Sequence, residues 1–167
     1  EIWIVHNGII ENYKDLKREL SAKGHTFKSE SDTEILAHLI EDHMKGGADF
    51  EKAVFAALNQ IRGTYGIALQ YKKEPEKLIA ARMGSPIVIG LGNGEHFIAS
   101  DASRILPHTN KVVFLEDGEG AVLTPKEHRI LKLDASHVSR EAMEIEWSTE
   151  EAQRGGFEHF MLKEIME

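Results

Sequence analysis

Gly63-Thr64-Tyr65-Gly66-Ile67-Ala68-Leu69-Gln70-Tyr71-Lys72-Lys73-Glu74-Pro75-Glu76-Lys77-Leu78-Ile79-Ala80-Ala81-Arg82 is two apolar runs separated by a polar break. Residues 64–71 and 78–82 predict strands, and Glu74-Pro75 marks the turn between them. So short a connection forces antiparallel pairing, because a parallel crossover takes roughly a dozen residues or more. The same texture continues towards the C-terminus. Residues 87–91, 97–100, 112–115, 120–123 and 129–133 read as short strands, punctuated by Gly84-Ser85-Pro86, Asn93-Gly94, Asp117-Gly118 and Thr124-Pro125.

Towards the N-terminus the apolar period lengthens to that of helices. One helix is predicted over 49–62, with Phe50, Val54, Ala57, Leu58 and Ile61 inward and Gly63 as its stop. Ahead of it, Ser31-Asp32-Thr33-Glu34 has the form of a capping box, followed by Ile35, Leu36, Leu39 and Ile40 on one face and closed by Gly46-Gly47. An earlier helix is capped by Asn12, buries Tyr13, Leu16 and Leu20, and stops at Gly24. Helices gathered early and strands gathered late predict an α+β fold, not a doubly wound parallel sheet. The chain opens on Ile2-Trp3-Ile4-Val5, an apolar run of the buried-strand type. A core strand at a raw terminus would fray, so the natural protein is expected to extend upstream. Residues 150–167 are polar and then amphipathic, and read as a linker and the start of a helix leading onward, leaving 1–149 as one domain.

The 167 residues are 41% hydrophobic and 29% charged, the balance of a chain with a buried core rather than a disordered one. A net charge of −8 with no Lys/Arg block argues against nucleic acid as a partner, since an acidic surface repels phosphate backbones. Apolar stretches such as 87–91 and 112–115 are far too short to cross a bilayer. No charged-then-apolar leader opens the chain, so no membrane partner is expected and the expected location is the cytoplasm. Zero cysteines exclude disulfides, thiolate zinc sites and a cysteine nucleophile within these residues.

His6-Asn7-Gly8 supports two readings. Asn-Gly signals a two-residue hairpin turn, which suits Asn93-Gly94 between its two strands. Asn7-Gly8 instead precedes Ile9-Ile10 and a helix cap, which places it at the exit of a strand. There the Asn7 amide and the Gly8 N–H offer two adjacent donors, as an oxyanion hole requires. Asp32 is either a first-turn cap favoured by the helix dipole or a carboxylate that grips a cationic group such as an α-ammonium. The nine histidines look scattered. His38 and His43 stand five apart and diverge on a helix, where a metal pair wants i and i+4, so no metal and no cofactor are expected. Gly90-Leu91-Gly92-Asn93-Gly94 lacks phosphate-loop spacing, and Ser100-Asp101 lacks a nucleophile-elbow pattern.

Several segments, taken in order, resemble a known family. They are Val5-His6-Asn7-Gly8-Ile9-Ile10-Glu11-Asn12, Ser31-Asp32-Thr33-Glu34, Arg62-Gly63-Thr64-Tyr65-Gly66, Ala81-Arg82-Met83-Gly84-Ser85-Pro86-Ile87-Val88-Ile89-Gly90-Leu91-Gly92, Phe97-Ile98-Ala99-Ser100-Asp101 and His159-Phe160-Met161-Leu162-Lys163-Glu164-Ile165. His-Asn-Gly with Asp-Thr-Glu resembles the class II glutamine amidotransferases. The Gly-Ser-Pro hairpin and the C-terminal segment are similar to the glutaminase domains of the glucosamine-6-phosphate synthase branch, the isomerising glutamine–fructose-6-phosphate aminotransferases. The resemblance covers essentially the whole chain.

The resemblance implies an N-terminal-nucleophile hydrolase fold, with antiparallel sheets sandwiched between helical layers (αββα), here truncated at its N-terminus. It implies that an N-terminal cysteine thiolate attacks the side-chain amide of glutamine, releasing ammonia and leaving a thioester that is hydrolysed to glutamate. The ammonia would convert fructose 6-phosphate to glucosamine 6-phosphate on sugar-isomerase domains outside this chain, through which a homo-oligomer is expected. By resemblance, Asn7 and Gly8 are the oxyanion donors and Asp32 binds the glutamine α-ammonium. Without the cysteine the chain alone is expected to be inactive. Two other readings stay open: another class II amidotransferase, or a non-catalytic domain for ligand sensing or assembly.

Overall fold

The computed structural model describes residues 1–145, so the expected linker and helix start over 150–167 lie outside the described residues. In chain order the elements are β1 (Ile2–Ile10), α1 (Tyr13–Ala22), α2 (Asp32–Lys45), α3 (Phe50–Leu58), β2 (Gly63–Tyr71), β3 (Glu74–Met83), β4 (Val88–Leu91), β5 (His96–Ala99), a 3-10 turn (Ala102–Arg104), β6 (Lys111–Phe114), β7 (Glu119–Leu123), β8 (His128–Lys132), β9 (His137–Val138) and β10 (Met143–Glu144). β2 and β3 form the expected hairpin, with Leu69 opposite Ile79 and Ile67 opposite Ala81. Its turn falls at residues 72 and 73 rather than at Glu74-Pro75. β3 outruns its other neighbour, β7, which pairs only from Leu78 onward. Pro75 therefore needs no amide hydrogen on that side and can stand in the strand.

β1 lies antiparallel along all of β2, from Ile2 opposite Tyr71 to Ile10 opposite Gly63. It forms the edge of a sheet ordered β1-β2-β3-β7-β8-β9. Between β3 and β7 the chain departs to build a second sheet, joined later by β10 and ordered β10-β6-β4-β5. Alternation along the strands sorts side chains into layers. On one face of the six-stranded sheet, Ile10, Ile67, Leu69 and Ile79 pack against Leu20, Leu36, Phe50 and Leu58 of the three helices. On the other, Ala80, Ala121, Leu123 and Ile130 meet Ile87, Ile89, Val113 and Leu115 beside or within the four-stranded sheet. The result is an α+β stack of helices on sheet on sheet. Among the described residues all three α-helices contribute to one side only, and the outer face of the four-stranded sheet carries the small cluster of Val88, Ile105 and Val112 with the 3-10 turn beside it.

The opening apolar run is not the buried strand its composition suggests. Ile2 and Ile4 pack towards the helices, whereas Trp3, Val5 and Ile9 stand 56%, 74% and 66% exposed. The four-stranded sheet packs over β3, β7 and β8 and leaves much of β1 uncovered on that face.

The helix ends follow local chemistry. Ser31 caps α2, its hydroxyl accepting from the Thr33 amide at 3.2 Å, and Asp49 caps α3, accepting from the Lys52 amide at 2.9 Å. Glu34 does not complete the capping box. It accepts instead from Lys28 N, Ser29 N and Ser29 Oγ at 2.8, 2.7 and 2.6 Å, which pins the incoming loop. Asn12 does not cap α1 with its side chain; it donates to Gln60 O at 2.8 Å and accepts from Arg62 N at 2.9 Å, tying the start of α1 to the segment after α3.

Candidate active site

β1 does not end at Asn7-Gly8 but continues to Ile10, and Gly8 is what allows it. Its φ is +138°, and a Cβ there would lie 2.1 Å from the Thr64 carbonyl oxygen. Only a residue without a side chain keeps β1 paired with β2 through this point. His6, Asn7 and Gly8 are thereby carried on a sheet edge that no other strand covers among the described residues.

Successive side chains on a strand leave on opposite faces. Asn7 turns away from the helices and lines a cavity of about 220 Å³ between the sheets, with Val5, Gly66, Ala68, Ile87 and Ile98. His6 turns towards the N-terminus of α2. There Asp32 Oδ2 accepts the Ile10 backbone N–H at 2.8 Å, and Asp32 Oδ1 lies 3.9 Å from His6 Nδ1. The Thr33 hydroxyl bridges the two, 3.0 Å from His6 Nδ1 and 3.5 Å from Asp32 Oδ1. The His6 side chain is 3% exposed, and its Nε2 is buried without a hydrogen-bond partner among the described residues.

The structure thus brings Asp32 to the strand end that carries Gly8, through the Ile10 amide, while the Asn7 side chain leaves β1 on the opposite face. Asp32 is 25% exposed and stands in the first turn of α2, where the helix dipole favours negative charge. The arrangement can offer a carboxylate to a cation. Tyr65, opposite Gly8, is buried; burial, then the charge of Asp117, pushes its phenol up to about 12, so it stays protonated at neutral pH.

Two contributions lay beyond the sequence reading. His6 and Thr33 flank residues that stood out, but only the packing of α2 against β1 shows that they touch. The histidines are also not all scattered. His25, after α1, meets His38 and Glu41 of α2, and the two Nδ1 atoms lie 3.0 Å apart. His25 lies outside the helix that carries the other two, so helical spacing could not reveal it.

Comparison with known proteins places the chain among relatives. The family described as a glutamine amidotransferase domain matches residues 1–107. The isomerizing glutamine–fructose-6-phosphate aminotransferase of Thermococcus kodakarensis is 49% identical over 168 residues, an alignment that covers 100% of this chain and 28% of that protein. The protein of the same name from Methanothermobacter thermautotrophicus is 47% identical over 167 residues, with the same 100% and 28% coverage. The chain therefore spans a little over a quarter of the length of these curated relatives. Among solved structures, the B. subtilis glutamine phosphoribosylpyrophosphate amidotransferase complexed with ADP and GMP superposes with a TM-score of 0.70 at 23% identity, covering 81% of this chain and 30% of that one, a likeness of fold.

Proposed function

Since the chain belongs to the glutamine amidotransferase domain family, we propose that it is the glutamine-hydrolysing part of an isomerising glutamine–fructose-6-phosphate aminotransferase. Asp32 takes the α-ammonium of glutamine in a charge-assisted contact. Asn7 and Gly8 donate to the oxygen of the side-chain amide as it gains negative charge. The attacking thiolate belongs to a cysteine outside these 167 residues, since the chain contains none. Its attack gives a tetrahedral oxyanion, the amide nitrogen leaves protonated as ammonia, and water hydrolyses the thioester to glutamate. The ammonia aminates fructose 6-phosphate on domains outside this chain, through which the enzyme assembles as a homo-oligomer in the cytoplasm.

The observation that carries this reading is the Asp32–Ile10 hydrogen bond, which seats a carboxylate two residues beyond Gly8 at an open strand edge. In the intact enzyme, Asn7→Ala should lower the rate of glutamate release by about 10²–10³-fold. Asp32→Asn should chiefly raise the KM for glutamine. A near-normal rate in Asn7→Ala would remove the oxyanion assignment. The 167-residue chain alone should release no glutamate, and measurable release from purified material would overturn the requirement for the external thiol.

A further inference from the structure

The connection between α1 and α2 meets α2 at a group of ligands that the glutamine site does not use. His25 is buried there, its side chain 3% exposed, and its Nδ1 lies 3.0 Å from His38 Nδ1. Glu41 Oε2 lies 3.5 Å from the first nitrogen and 3.8 Å from the second. Bonds of roughly 2.0–2.1 Å from a tetrahedral zinc ion to nitrogen and oxygen place neighbouring ligand atoms about 3.3–3.4 Å apart. The three observed separations bracket that spacing.

The far side of each ring adds a second, independent feature. His25 Nε2 faces Asp42 Oδ1 at 3.6 Å, and His38 Nε2 faces Glu34 Oε1 at 3.6 Å. A metal-binding histidine characteristically directs its other ring N–H at a carboxylate, which fixes the tautomer and leaves the ligating nitrogen bare. Both rings turn that nitrogen towards a carboxylate, at a distance just longer than a hydrogen bond. Their two Nδ1 lone pairs then converge on each other and on a carboxylate oxygen, a repulsive arrangement unless positive charge lies between them. A shared proton would serve the two nitrogens; a divalent cation serves all three ligands. Lys45 Nζ lies 3.5 Å from the other Glu41 oxygen and leaves Oε2 to the site. His38 and Glu41 also line a cavity of about 650 Å³, so a fourth position is open to solvent.

We propose that His25, His38 and Glu41 bind one zinc(II) ion, with water as the fourth ligand, and that the ion clamps the α1–α2 connection onto α2. The site is structural. It steadies the helix whose first residue is Asp32, and it stands whether or not the glutamine reading does.

The test is calorimetric titration of the full chain, freed of metal by a chelator, with Zn²⁺ alone, together with Co²⁺ as a spectroscopic probe. One ion per chain should bind, the thermal unfolding temperature should rise, and Co²⁺ should give the intense visible absorption of a tetrahedral site. Glu41→Gln changes a half-exposed side chain without threatening the fold, and should weaken binding by at least about tenfold, the lower end of what losing even an outer-shell partner costs. His38→Gln should weaken it further. His43→Gln, on the same helix but bonded to Gln60 instead, should leave it unchanged. Absence of saturable binding, or equal affinity in the wild type, Glu41→Gln and His38→Gln, would overturn the proposal and leave a proton-sharing histidine pair.

Discussion

A methyl group at Gly8 has nowhere to go, because the Thr64 carbonyl oxygen would stand 2.1 Å away and the φ of +138° disfavours any side chain. Gly8→Ala should therefore destabilise the chain by about 2–4 kcal/mol, adding backbone strain to overpacking. Denaturant unfolding reads this directly, and an unchanged midpoint would mean that β1 and β2 separate here without cost. Glu34 gives a pH-dependent case. The Ser29 hydroxyl and the Lys28 amide donate to its carboxylate and hold its pKa at about 2, below the usual 4.5. A folded-state value below the unfolded one contributes stability that is fully present above about 4.5 and is lost as the pH falls towards about 2. Glu34→Gln should be less stable than wild type at pH 7 and converge with it in acid; a constant gap across that window would show that the carboxylate charge is not what anchors the loop. At this scale Gly8 and Asp32 stand out in the sequence because backbone-specific residues beside a predicted strand or cap are few. Thr33 and His6 do not, since a hydroxyl and an imidazole acquire meaning only from what packs against them.

At the level of elements, Asn12 does the most unexpected work. Its side chain joins the start of α1 to the chain that enters β2, through Gln60 O and Arg62 N. Asn12→Ala removes both bonds at a partly buried position and should cost about 1–2 kcal/mol. The loss should appear as faster amide exchange at Arg62, and unaltered exchange there would show that the strand pairing alone holds this junction. The sequence pointed to Asn12 for a helix cap because asparagine before an amphipathic run usually is one. The competing partner lies some fifty residues away in the chain, beyond the reach of any local pattern. The turn at residues 72 and 73 was misplaced for a related reason. Proline normally ends a strand, and what permits it here is that β7 ends at Leu123, opposite Leu78, a fact of topology.

For the molecule as a whole, stability rests on two buried layers that share one sheet. Ile89 is fully buried between the sheets. Truncating it in Ile89→Ala should cost about 2–5 kcal/mol through lost burial and the cavity left behind. Far-UV and near-UV circular dichroism should then report one coincident, earlier transition; two separate transitions would show that the sheets unfold independently. The layered α+β plan was legible in the order of helical and strand periods. The uncovered part of β1 was not, because its exposure depends on how far the second sheet reaches. β1 also closes onto β2 across the entire helical segment, with Ile10 opposite Gly63. Bringing such distant partners together is entropically slow, whereas the β2–β3 hairpin closes locally and early. The strand that bears Asn7 and Gly8 should thus be the last to join during folding, so the refolding chain would hold a nearly finished sheet before the edge with the proposed oxyanion donors is in place.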